Sequence, residues 1–158
     1  MEKFIPLLTL GILTLILISY FSFASLVSFD ITGYEIVNVI EVIGNNVIVG
    51  NNCTAIIAET SPERAESISL GLKGIIQERP NTHDTFSAVL RSFNITLEAV
   101  QIEGVKDNYY YSNLILRTGD KILKLDTKPS DAIAIALRMN ATIYINKTLL
   151  TRMGENIC

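Results

Sequence analysis

Two short stretches hold most of the residues able to do chemistry. Arg79-Pro80-Asn81-Thr82-His83-Asp84 and Lys128-Pro129-Ser130-Asp131 are built alike, each with a cation before a proline, then a hydroxyl, then an aspartate. Proline followed by a hydroxyl and an acid is a helix start, where unsatisfied backbone N–H groups and the helix dipole gather positive potential. Two such entrances side by side, with Arg79 and Lys128, would make a small anion pocket fit for a phosphate. His83 is the one histidine of the chain. In a first helical turn beside Asp84 it suits proton transfer or metal ligation, and equally a hydrogen-bonded structural role. Two carboxylates holding an oxygen-seeking cation, Mg²⁺ or Mn²⁺, with a histidine to move a proton, suit phosphodiester cleavage. The expected catalytic set is therefore His83, Asp84 and Asp131, with Asp84 and Asp131 as metal ligands. Arg79, Thr82, Lys128, Ser130 and Arg138 are the expected phosphate contacts. A purely structural account stands beside it: Thr82 and Ser130 as helix-cap or first-turn residues, the acids as partners of the dipole, Arg138 paired with an acid or with its own helix end. Missing from the chain are a nucleotide-binding glycine fingerprint, a nucleophile elbow and zinc-type Cys/His spacing, which removes the commoner catalytic sets.

The elements that must position these residues are legible in outline. Tyr34 to Ile43, Val47 to Val49 and Cys53 to Ala58 are short runs rich in β-branched residues, broken at Gly44-Asn45-Asn46, and predict a meander. Ser61-Pro62 opens a helix whose Ala65, Ile68, Leu72, Ile75 and Ile76 recur at helical spacing. Thr82 is expected to cap a second helix with a stripe of Phe86, Val89, Leu90 and Phe93, stopping at Asn94. Strands follow at Leu97 to Glu103, Tyr109 to Arg117 and Ile122 to Asp126, with turns at Lys106-Asp107-Asn108 and Thr118-Gly119-Asp120. Pro129 starts a third helix, apolar almost all round from Ile133 to Leu137, hence the most buried. A strand at Thr142 to Ile145 and a short helix near Thr148 to Met153 close an α+β chain. The expected architecture is one domain over 34–153, with a mixed or antiparallel sheet and about three main helices, behind an N-terminal transmembrane helix. Tyr109-Tyr110-Tyr111 suits either core and edge packing or the stacking of bases.

The two motifs also carry a resemblance. Arg79-Pro80-x-Thr82-His83-Asp84, followed about 45 residues later by Pro129-Ser130-Asp131-Ala132-Ile133-Ala134-x-Ala136-Leu137-Arg138 and an Ile143-Tyr144-Ile145 strand, resembles the bifunctional nuclease domain family, loosely over residues 35–152. The resemblance implies a compact α+β domain and cleavage of DNA or RNA, an activity reported for some plant members. It places the family pattern on Arg79, Pro80, Thr82, His83, Asp84, Pro129, Ser130, Asp131, Ala132 and Arg138. Lys128 stands where the family more often has Arg, and Arg64 near a position more often acidic. The rival expectation, from another class, is a non-catalytic assembly or ligand-binding module serving self-association (a homo-oligomer) or a partner on the cell exterior.

Of the 158 residues, 49% are hydrophobic and 18% charged, and the excess lies at the N-terminus, where no charge occurs from Phe4 to Phe29. At ~1.5 Å per residue that run exceeds the ~30 Å hydrocarbon core, so residues 1–29 are expected to be a transmembrane anchor. A cleaved signal peptide, with Ser22-Phe23-Ala24 as the small-x-small site, is the alternative. Lys3 precedes the run and no Lys or Arg follows until Arg64, which puts the N-terminus in the cytoplasm and the domain outside. Asn94, Asn140 and Asn146, each in an Asn-x-Thr triplet, are glycosylation candidates, as is Asn52. Cys53 and Cys158 are the two cysteines. They pair in an oxidising exterior, or remain unrelated thiols with Cys53 buried in a strand. The net charge of −3 carries no basic footprint for nucleic acid, so any binding to a phosphate backbone must rest on local features.

Overall fold

A computed structural model describes residues 29–158. The run expected to be an anchor lies almost wholly outside the described residues, among which no helix is long and apolar enough to cross a membrane.

The β-branched runs form strands β1 (Tyr34–Ile43), β2 (Asn46–Gly50) and β3 (Thr54–Glu59), an antiparallel meander. β4 (Thr96–Lys106), β5 (Tyr109–Thr118) and β6 (Lys121–Thr127) make a second antiparallel run. The β4–β5 turn has both central residues left-handed, Asp107 at φ 50° and Asn108 at φ 64°, which these two residue types tolerate and a tight hairpin demands. β7 (Thr142–Asn146) joins the two runs, parallel to β4 and antiparallel to β1. With the two-residue β8 (Glu155–Asn156) on the edge of β3, the result is a mixed eight-stranded sheet in the order β6-β5-β4-β7-β1-β2-β3-β8.

Three helices, α1 (Pro62–Leu72), α2 (Thr82–Ser92) and α3 (Pro129–Met139), pack with α3 between the others and against β4, β5 and β7. Ala132 to Ala136 are all buried, as the all-round apolar pattern of α3 predicts. Gly71 of α1 lets that helix approach α3 closely, since a Cβ there would lie 3.2 Å from Leu137 Cβ and 2.7 Å from Arg138 Nη1. The short α4 (Lys147–Met153) is capped by Asn146, whose Oδ1 accepts from the Thr148 N–H at 2.9 Å.

Two sequence expectations need correction, one strand was not expected, and the two readings of the cysteines are decided in favour of pairing. α1 stops at Leu72, and the chain turns at Gly74 (φ +66°), leaving Ile75 and Ile76 exposed rather than on the helix. α2 is capped by Asn81, not Thr82, and its buried line is Asp84, Ser87 and Leu90, while Val89 and Phe93 face out. β8 is a strand that periodicity did not show. Cys53 is exposed ahead of β3 and forms a disulfide with Cys158, Cα to Cα 5.1 Å, a usual bridging distance.

The chain before β1 runs across the sheet rather than away from it. Gln101 Nε2 donates to the Asp30 carbonyl at 2.6 Å, the Phe29 ring meets Tyr144 edge-on, and the Lys147 N–H donates to the Gly33 carbonyl at 2.9 Å. Of the glycosylation candidates, Asn94 and Asn140 are exposed and left-handed at helix ends, a conformation asparagine favours for its own backbone, and Asn146 is half-buried in its cap.

Candidate active site

The helix starts do what their spacing suggests, by different means. At α2, Asn81 Oδ1 accepts from the His83 and Asp84 N–H groups at 2.9 and 3.0 Å, while Asp84 Oδ2 accepts from the Asn81 N–H at 3.0 Å. This capping box fixes the first turn of α2 and with it His83. At α3, Pro129 supplies a preset backbone angle and no side chain caps the helix, so Asp131 is free to reach across.

It reaches His83. Both side chains line an open cleft of about 630 Å³ together with Arg64, Ser67, Asn81 and Thr82. His83 Nε2 lies 3.3 Å from Asp131 Oδ1, and His83 Nδ1 lies 2.9 Å from Ser67 Oγ. A carboxylate only accepts, so Nε2 carries the proton toward Asp131, and in the neutral ring Nδ1 accepts from the Ser67 hydroxyl. Ser67 is itself held by Asn81 Nδ2, which donates to its Oγ at 3.1 Å. Arg64 Nε donates to the same Asp131 oxygen at 3.1 Å. The imidazole is thus fixed at both nitrogens, with its side chain 15% exposed, and a cation stands beside it.

Asp84 faces the other way. Arg138 Nε donates to its Oδ1 at 2.5 Å, both side chains are buried, and Arg138 Nη1 also donates to the Ser67 and Ala134 carbonyls. Burial alone would raise the pKa of Asp84, but the Arg138 pair and the Asn81 N–H outweigh it and hold the carboxyl below its usual range. Glu103, on the opposite face, is held low in the same way, burial being outweighed by Lys124, Tyr34 and Asn113. With folded values below the unfolded ones, both groups contribute stability at neutral pH that disappears as pH falls through about 4. The denaturation midpoint should therefore drop in acid, and Asp84→Asn should flatten the dependence; an unchanged pH profile in that variant would contradict the assignment.

The remaining expected contacts are dispersed. Arg79 is exposed and does not line the cleft, Lys128 and Ser130 line a different hollow, and Arg138 is buried behind Asp84. The two entrances meet, then, through His83 and Asp131 rather than through one anion pocket. A divalent cation does not suit this donor set, since Asp84 is taken by Arg138 and the oxygen Asp131 offers toward His83 is already shared with a guanidinium. Among the described residues no group of three or more His, Cys, Asp or Glu is placed to hold a metal. Sequence reasoning gave Arg64, Ser67 and Asn81 no part in the site. Only Asn81 left a signal, the Asn-x-x-Asp pattern of a capping box. Of the three tyrosines, Tyr109 and Tyr111 are exposed on one face of β5 and Tyr110 packs on the core.

Fold and cleft together define a sheet-rich α+β domain in which two proline-led helix starts converge on one histidine–aspartate pair. The chain belongs to the bifunctional nuclease domain family, whose profile matches residues 51–157. Two uncharacterized proteins of Mycobacterium tuberculosis, one from each of two strains, are similar to it, each 32% identical over 90 residues. That stretch is 57% of this chain and 53% of theirs, so the chain spans about half the length of the curated relatives it matches.

Proposed function

We propose that this chain cleaves phosphodiester bonds in DNA or RNA, with His83 moving the proton. The observation that carries the reading is the oriented imidazole in an open cleft, with Ser67 at one nitrogen, Asp131 at the other and Arg64 alongside. In hydrolysis the attacking water gives up a proton as its oxygen bonds to phosphorus, and the leaving oxygen takes one as its bond to phosphorus breaks. His83 is held to accept that proton at Nδ1 by way of the Ser67 hydroxyl that already donates there, and to return it by the same route, with Arg64 to offset the charge on the phosphoryl oxygens. No cation is needed for these roles. Membership of a nuclease-named family supports the substrate class.

The test is the full chain incubated with single-stranded DNA, duplex DNA and RNA in Mg²⁺, Mn²⁺ or EDTA. Cleavage should persist in EDTA. His83→Ala should lower it by ~100-fold or more with the fold intact, the size of losing an acid/base group. Activity abolished by EDTA would overturn the metal-free form of the proposal, and a fully active His83→Ala the whole of it. The rival, a binding or assembly module, is favoured by one observation: Asp84 and Arg138 are consumed by each other. It predicts no cleavage under any of these conditions.

We place the domain outside the membrane, tethered by its N-terminus. The disulfide supports this, since such bonds persist in oxidising compartments. Protease added to intact cells should cut the exposed segment 30–33 and release the domain; protection until lysis would refute the topology.

A further inference from the structure

A second hollow, of about 250 Å³, lies on the other side of the α3 start from the cleft. Its walls are aliphatic and come from distant parts of the fold: Val47 and Val49 of β2, Ile56 of β3, Ile102 of β4 and Ile133 of α3. Each of these is under a tenth exposed, so the hollow is an opening into the core and not a surface groove. Interiors of this kind are normally filled. An apolar cavity of ~150 Å³ already stays dry and takes up benzene-sized molecules. The polar lining residues are all exposed or half-buried and so stand at the mouth: Lys128 and Ser130 at the start of α3, Glu59 and Thr60 at the end of β3, and Asn108, Tyr109 and Tyr110 at the β4–β5 turn.

We propose that this hollow binds a single acyl chain with a monocarboxylate head, the chain among the aliphatic walls and the carboxylate at Lys128. The walls offer no polar partner deep inside, which excludes sugars, nucleosides and peptides, whose donors would be buried unpaired. Lys128 selects an anionic head, and Glu59, which lines the same hollow, selects against one carrying a second negative charge. The proposal does not depend on the phosphodiesterase reading, because none of its residues belongs to the His83 cluster.

The probe is decanoate bearing a photoreactive diazirine at its far end, applied to the full chain in its native membrane, with the labelled peptide located by mass spectrometry. Label should fall on the peptides carrying Val47, Ile56 or Ile133. Unlabelled decanoate should displace it ~10-fold better than decanol, the size of one charge-assisted contact, and Lys128→Ala should erase that preference. Ala58→Leu, which projects a larger side chain into the hollow from β3, should reduce labelling ~10-fold. Should that variant lose its fold by circular dichroism, the decanoate–decanol comparison on the parent decides alone. Labelling confined to other peptides, insensitivity of a folded Ala58→Leu, or decanol competing as well as decanoate would each overturn the proposal.

Discussion

Arg138→Ala should destabilise the domain by ~3–5 kcal/mol, measured from the midpoint and slope of chemical denaturation. Asp84 and Arg138 are 5% and 6% exposed, and each is the other's only opposite charge at hydrogen-bond distance among the described residues. Removing the guanidinium leaves a buried carboxylate without its counter-charge and takes away the additional bond that Nη1 gives to the Ser67 and Ala134 carbonyls. Replacing both members is a different experiment. Asp84→Leu with Arg138→Met removes both charges and leaves only the Asn81 N–H without its side-chain acceptor, while Arg138 Nη2 has no hydrogen-bond partner to lose. That double variant should recover most of the stability. A loss below ~1 kcal/mol in Arg138→Ala would show that the pair is solvated and not the strut described above.

Cutting the disulfide should cost about as much. Cys53 and Cys158 are 105 residues apart, and a cross-link closing a loop of that length is worth ~4 kcal/mol, mostly through the unfolded chain. The Cys53→Ser, Cys158→Ser double variant and the reduced parent should unfold at the same lower denaturant concentration, with a steeper slope than the oxidised parent because the opened chain exposes more surface. The folded state itself should change little, because the bond ties down only β8 and the chain beside it. A reduced parent as stable as the oxidised one would refute this.

The sequence and the structure agree where local chemistry decides and part where distant partners do. Tyr34 to Ile43 reads as a strand because β-branched residues fit a pleated surface, and it is one. Pro129 reads as a helix start and is one. The α2 cap was misplaced by one residue because Asn81 and Thr82 are both good caps, and only the reach of Asp84 back to Asn81 separates them. The outward Val89 and Phe93 have a more instructive cause. α2 turns Asp84 inward to meet Arg138, 54 residues further on, and a periodicity built on apolar residues has no means of registering a buried ion pair. The same holds for the cleft. His83 and Asp131 were legible as candidates, but Arg64 joins Asp131 across 67 residues, and its contact could be found only in three dimensions.

The position of β1 bears on how the molecule is made. It is the first strand among the described residues, yet it lies inside the sheet between β2 and β7, and its register with β7 pairs Tyr34 with Asn146 and Val37 with Ile143. The β1–β2–β3 hairpins can close as soon as they emerge, since their contacts are local. The other edge of β1 must then wait, its N–H and C=O groups unpaired, until β7 has been synthesised more than eighty residues beyond β3. An unpaired strand edge is a template for wrong partners. Delay at the far end of the chain, whether from slow translation or from a truncated message, should therefore convert nascent copies into aggregates rather than into a smaller folded domain.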